Sequence, residues 1–225
     1  EIATAVTFLI SDEAIFVTGA DCENERHYRS REQITVKRNN MKNILIISGH
    51  TNLAASVANK TILETLNERL PEAEIVKLDE LYPDFKIDVE AEQQKLLRAD
   101  IIVLQFPLFW YSAPSILERW MEETFRHGFS HGSTGDKLKG KKLILSFTTG
   151  APETLYSREG AMGYAIDEFL PCYKAVCRLT QMEYCGSVYT CGISYGNRTT
   201  PELIEQQKGA SVEHAERLIR LLEAL

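Results

Sequence analysis

Apolar residues along this chain gather in short, almost unbroken runs, and between the runs they recur every three to four positions. The runs Asn43–Ser48, Glu74–Leu78, Asp100–Phe106, Lys142–Phe147 and Tyr184–Cys191 are dominated by Ile, Val, Leu and aromatic residues, the composition of buried strands. Helical spacing predicts helices over about 53–70, where Pro71 stops the run, then up to about Arg98, from Pro114 to about Phe125, over about 162–179 and over about 201–225. Asp79–Asp88 and the glycine-rich 127–140 read as loops. Uninterrupted apolar strands alternating with helices predict an α/β domain with a parallel sheet covered on both faces. Five strands joined by right-handed crossovers fit the doubly wound order 2-1-3-4-5. Residues 1–40 break the alternation. They end in the charge-dense, nearly apolar-free stretch Glu23–Asn40, after which Met41 opens the first strand. We therefore expect an N-terminal extension at 1–40, non-functional or poorly ordered, and a working domain at 41–225.

In this strand order the chain reverses direction across the sheet between strands one and three, and ligands lodge beyond the carboxyl ends of the strands there. The loops after strands one, three and four are accordingly the ones to read. The first, Gly49–Asn59, leads into a helix start, where free N–H groups and the helix dipole favour an anion. His50, Ser56 and Asn59 add side-chain donors, although Thr51 and Asn52 also suit a plain helix cap. The second loop carries Phe109, Trp110 and Tyr111 directly after a buried strand. Three rings at a rim make a wall for a planar aromatic ligand, or else a lid on the core or a dimer contact. The third loop opens with Thr148, Thr149 and Gly150, whose hydroxyls and close backbone can read the polar edge of a flat ring, and Tyr156 adds a phenol. An anion cradle, an aromatic wall and an edge reader together match a phosphorylated flat redox ring.

Composition narrows the class. The 225 residues carry a formal net charge of −7 with no long Lys/Arg run, which argues against nucleic acid or an anionic bilayer as partner. No apolar stretch is long enough to span a membrane, and no secretory leader is visible, so a cytoplasmic location is expected. The five cysteines form no CxxC pair and no zinc spacing, so neither a disulfide framework nor a metal site is expected.

The segments GHTNLAASVAN, QFPLFWYSAPSILERW and LSFTTGAPETLYS make the chain from Met41 onward resemble the NAD(P)H:quinone oxidoreductases of the DT-diaphorase type. The likeness is greatest to the short bacterial branch that includes ancillary flavoproteins of glutathione-gated potassium efflux systems. The resemblance implies a flavodoxin-like fold, with His50, Ser56, Val57 and Asn59 on the flavin phosphate and Pro107, Leu108, Phe109, Trp110 and Tyr111 along the isoalloxazine. It implies Thr148, Thr149, Gly150 and Ala151 at the pyrimidine side, and Tyr156 as the catalytic residue that stabilises the reduced flavin. FMN is expected as cofactor, with FAD the alternative, and NAD(P)H as co-substrate. The implied reaction is two-electron, ping-pong hydride transfer to a quinone-like acceptor. Members are typically homodimers, so Tyr111, Phe129 and His131 are candidates for a shared pocket, and a membrane transporter is a candidate partner. Where the animal enzymes place a His six residues after that Tyr, this chain has Met162, which cannot relay a proton.

Three rivals share parts of this signal: a nitro- or azo-compound reductase, a regulatory flavoprotein subunit of a potassium efflux system, and a one-electron flavodoxin carrier. The aromatic trio speaks against the carrier. Residues 1–19 resemble the C-terminal tail of a short-chain dehydrogenase/reductase, without that family's nucleotide-binding glycines, so 1–40 is expected to be an upstream fragment or a mis-assigned start, the alternative being a real extension that docks on the body. Among the remaining residues His214 reads as a solvated position on the last helix, His127 and His131 as equally pocket or surface, and Trp120 as core. The acidic residues read mostly as helix faces, with no isolated pair suited to acid–base hydrolysis.

Overall fold

The computed structural model describes residues 42–225, and the expectations for 1–40 lie outside them. Five parallel strands, β1 (Ile44–Ser48), β2 (Glu74–Lys77), β3 (Ile101–Pro107), β4 (Lys142–Thr148) and β5 (Glu183–Thr190), form one sheet in the expected order β2-β1-β3-β4-β5. The helices are α1 (Ala58–Arg69), α2 (Leu78–Leu81), α3 (Val89–Arg98), α4 (Ser115–Thr124), α5 (Pro171–Thr180) and α6 (Pro201–Glu223).

Strand alternation sorts the core into two layers. Leu45, Ile47, Ile102, Leu104, Phe106, Leu143, Leu145 and Phe147 pack with Leu96 of α3, Ile116, Leu117 and Trp120 of α4, and Tyr173 of α5. The alternate positions Ile46, Val103, Ile144 and Val188 face Ile62 and Leu66 of α1 and Leu218, Ile219 and Leu222 of α6. The central strands β3 and β4 are buried along nearly their whole length, as a sheet with helices on both faces requires, while β2 and β5 are its half-exposed edges.

Three element boundaries differ from expectation. The first helix starts at Ala58 rather than Leu53, because Leu53–Ala55 forms a 3-10 turn capped by Asn52 and Ser56 then breaks the run. The loop expected at Asp79–Asp88 begins with the short helix α2. The helix expected over 162–179 is confined to Pro171–Thr180, since Pro171 lacks an N–H and fits only a first turn, and a 3-10 turn at Ile166–Phe169 precedes it. Trp120 is fully buried, as expected, and its indole N–H donates to Glu92 Oε2 at 2.9 Å.

Candidate functional site

The three loops singled out from the sequence meet at the carboxyl edge of the sheet and line one open cleft of about 340 Å³. The loop after β1 is pinned at both ends. Gly49 N–H donates to the Gln105 carbonyl at 2.8 Å, and Leu53 N–H donates to Asp79 Oδ2 at 2.6 Å. Gly49 is required sterically: a Cβ there would stand 2.6 Å from Leu117 Cβ. His50, Ser56 and Asn59 line the cleft and are nearly inaccessible. Ser56 Oγ accepts from Asn59 N–H at 3.1 Å, which delays the start of α1 until the helix opens beside the cleft. Burial, reinforced by the positive charge of Arg198 and opposed by Asp79, pulls the His50 pKa below its ordinary value, so the imidazole is neutral near pH 7. Val57 stands at the N-cap of α1 and does not line the cleft.

From the loop after β3 come Pro107, Leu108, Phe109 and Trp110. Phe109 and Ser112 exchange two backbone hydrogen bonds of 3.0 Å around a tight turn. Trp110 and Tyr111, between them, both adopt left-handed backbone conformations (φ 49° and 65°). Two successive non-glycine residues in that region store strain, a feature that concentrates at ligand sites. The turn leaves Trp110 94% exposed at the lip of the cleft, with the Phe109 ring edge-on to His50 at 5.9 Å between centroids. Tyr111 turns away from the cleft. It stacks on Phe169 at 5.1 Å, and its hydroxyl donates to the sulfur of Met162 at 3.3 Å.

Thr148, Thr149 and Gly150 line the cleft from the loop after β4. A Cβ on Gly150 would approach no protein atom closer than the Ile193 carbonyl, at 4.0 Å. Ala151 does not line the cleft; its carbonyl accepts from Thr149 Oγ1 at 3.0 Å and from Gly192 N–H at 2.8 Å, tying this loop to the chain beyond β5. Tyr156 sits beside Thr149, off the wall and edge-on to Phe169 at 6.1 Å. Burial raises its pKa, so the phenol stays protonated and able to donate.

A fourth segment completes the cleft, and sequence reasoning missed it. Ile193, Ser194, Tyr195 and Arg198 follow β5 and form the remaining wall. Arg198 Nη1 donates to the Ala55 carbonyl at 3.0 Å and Nε to Gln207 Oε1 at 3.2 Å, with the guanidinium 4.1 Å above the Tyr195 ring. The signal was a lone Arg in a Gly/Ser/Asn-rich loop at the same sheet edge.

One histidine expectation is corrected, and one left open is resolved for the described chain. His214 is not solvated: it is fully buried, with Nε2 2.7 Å from Ser146 Oγ and Nδ1 2.9 Å from Thr190 Oγ1, because its helix face packs onto the polar carboxyl end of the sheet. His127 and His131 do not reach the cleft. Their rings pack against each other at 5.6 Å across a surface loop. Among the acidic residues Glu92 departs from the helix-face expectation, being fully buried with Tyr82, Lys95 and Trp120 as partners. Among the described residues no group of three or more His, Cys, Asp or Glu is placed to hold a metal, and no helix is long and apolar enough to cross a membrane.

Comparison with known proteins adds four likenesses. Residues 42–215 match the family described as having a flavodoxin-like fold. The chain is 40% identical over 140 residues to the uncharacterized NAD(P)H oxidoreductase YdeQ of Bacillus subtilis, covering 62% of this chain and 71% of that protein. Among solved structures it is similar to general stress protein 14 of Treponema denticola in complex with FMN, at 27% identity and a TM-score of 0.71, covering 80% of this chain and 99% of that one. It is also similar to the NADPH-quinone reductase of P. pentosaceus, at 25% identity and a TM-score of 0.61, covering 78% of this chain and 98% of that one.

Proposed function

The chain belongs to the flavodoxin-like fold family, and on that premise we propose that it is an FMN-dependent NAD(P)H oxidoreductase that reduces quinone-type acceptors. The observation that carries this reading is the convergence of four loops on one cleft with unlike walls. His50, Ser56, Arg198 and the opening turn of α1 are concentrated donors for a phosphate, while Phe109 and Trp110 offer aromatic faces. The donor set fits one phosphate and one flat ring. The FMN bound by the Treponema denticola relative and the names of the oxidoreductase relatives support the same assignment.

The bound flavin would supply hydride acceptance from NAD(P)H and hydride donation to the second substrate, one after the other at the same face. The protein's part is positional and electrostatic. His50 and Ser56 would donate hydrogen bonds to the phosphate and Arg198 would neutralise its charge, and Asn59 and Thr148 line the cleft beside them. Gly150, having no side chain, lets the backbone approach the ring, and Phe109 and Trp110 hold the ring plane and exclude water. Tyr156, kept protonated by burial, interacts with Thr149 and would act from behind that wall to balance negative charge developing on the ring. Met162 cannot relay a proton; it accepts from Tyr111 and fixes that ring against Phe169. Trp110, almost wholly exposed beside the opening, is suited to burial by a second copy of the chain, which supports a homodimer with the cleft mouth at its interface.

The deciding experiment is to purify the protein, denature it and identify the released chromophore. FMN is the expected product, and stoichiometric loss of the flavin's visible absorbance on anaerobic NADPH addition, reversed by a soluble quinone, is the expected activity. A colourless protein that takes up no added FMN ends this reading.

A further inference from the structure

Beneath the cleft lies a largely buried polar layer that the chemistry above uses only at its cleft end, Asn59 and Thr148. On the sheet face covered by α1 and α6, apolar side chains give way at the carboxyl ends of the strands to Ser48, Gln105, Ser146, Thr148 and Thr190. Gln105, Ser146 and His214 have no solvent exposure, so each must find its partners inside the protein.

Their hydrogen bonds run in one direction. Arg217 Nη2 donates to Thr190 Oγ1 at 2.8 Å, and Thr190 Oγ1 lies 2.9 Å from His214 Nδ1. His214 Nε2 lies 2.7 Å from Ser146 Oγ, and Ser146 Oγ donates to Gln105 Oε1. Gln105 Nε2 donates to Asn59 Oδ1 at 2.8 Å, and Asn59 Nδ2 donates to Thr148 Oγ1 at 3.1 Å. Donor counting fixes the tautomer. Ser146 has spent its hydrogen on Gln105, so it accepts from His214 Nε2–H. Nδ1 is then a bare acceptor for the Thr190 hydroxyl, whose oxygen in turn accepts from the Arg217 guanidinium. Burial and the Arg217 charge pull the His214 pKa down to about 3, which keeps the ring neutral as this pattern needs. At the far end Thr148 accepts from Asn59, and among the described residues no acceptor takes its own hydroxyl hydrogen. Both Thr148 and Asn59 line the cleft.

We propose that His214 is a positioning residue for the cleft: through Ser146, Gln105 and Asn59 it orients the Thr148 hydroxyl as a hydrogen-bond donor to an oxygen of the bound flavin. The proposal rests on the flavin reading of the cleft. The wire joins α6, β3, β4 and α1, so a change of donor sense at His214 propagates through two amides whose oxygen and nitrogen ends would have to exchange.

The test titrates FMN into flavin-free protein and follows quenching of flavin fluorescence, with melting temperature recorded in parallel. Ser146→Ala and Thr148→Val are each expected to weaken FMN binding roughly three- to tenfold, the effect of one lost hydrogen bond. The double variant should bind no more weakly than Thr148→Val alone, because both changes remove the same donor. His214→Gln, which can still donate to Ser146, should bind more tightly than His214→Asn, which is too short. Nitrogen NMR of the wild type should show the Nε2–H tautomer at neutral pH, a readout independent of how well the variants fold. Additive losses, variants that lower the melting temperature without changing FMN affinity, or an Nδ1–H tautomer overturn the wire while leaving the flavin site standing. A folded wild type that refuses FMN overturns both.

Discussion

The Asn52 amide donates to Nδ1 of His50 at 2.9 Å, which commits the imidazole to the Nε2–H tautomer and leaves its one proton as a donor on the cleft wall. The same bond fastens the anion loop, so a single ring both shapes and equips the site. Replacing it by His50→Phe removes the donor and unties Asn52. FMN affinity is expected to fall roughly tenfold, measured by fluorescence titration, with a modest drop in melting temperature.

Arg198 is the charged member of the wall that composition alone did not reveal. Arg198→Met keeps much of the stem over Tyr195 and deletes the charge. The expected result is weaker FMN binding by about tenfold or more and a flatter dependence of that affinity on salt. Equal affinity at low salt would remove Arg198 from the site.

Gly150 separates folding from binding. A Cβ there would come no closer than 4.0 Å, to the Ile193 carbonyl, so Gly150→Val should leave the melting temperature of the flavin-free protein within about a degree or two, while its branched side chain fills ring space in the cleft. Loss of FMN uptake with unchanged circular dichroism is the expected pair of observations.

His214 makes the fold acid-sensitive. Its pKa is about 3 in the folded chain against an ordinary 6.5, so the unfolded state binds more protons between those values and stability falls as pH drops through that window. Between pH 7 and pH 4 the loss attributable to this group is about 3 kcal/mol at most, at 1.36 kcal/mol per unit. Denaturant titrations of wild type and His214→Gln should converge as pH falls, the variant lacking this slope.

Glu92 supplies a control remote from the cleft. This fully buried carboxylate accepts from the Tyr82 hydroxyl at 2.8 Å and the Trp120 indole at 2.9 Å and pairs with Lys95, joining α3 to α4 and to the residue after α2. Glu92→Ala strands those donors and should cost about 3 kcal/mol in urea unfolding. At temperatures where the variant is folded, FMN affinity is expected to match the wild type.

Periodicity and strand composition were enough to specify the strands, their order and three of the four loops that meet at the cleft. These features are local: runs such as Asp100–Phe106 admit only a buried strand, and the carboxyl ends of such strands converge wherever the sheet closes. The aromatic run at Phe109–Tyr111 was visible for the same reason, but the left-handed turn that sends Trp110 to the lip and Tyr111 toward Phe169 was not. Backbone conformation there is decided by the pairing of Phe109 with Ser112.

What the chain alone determined is the α/β architecture and the chemical character of each loop, since both follow from residue types at fixed spacing. Only the tertiary structure decided that Arg198 completes the wall and that His214 is buried. Helical spacing places His214 next to Ala215 and Leu218 without saying which part of the sheet the helix crosses. The polar layer is split among β1, β3, β4, β5, α1 and α6. Asn59 and His214, joined through Gln105 and Ser146, lie 155 residues apart, so these hydrogen bonds exist only once packing brings the partners together.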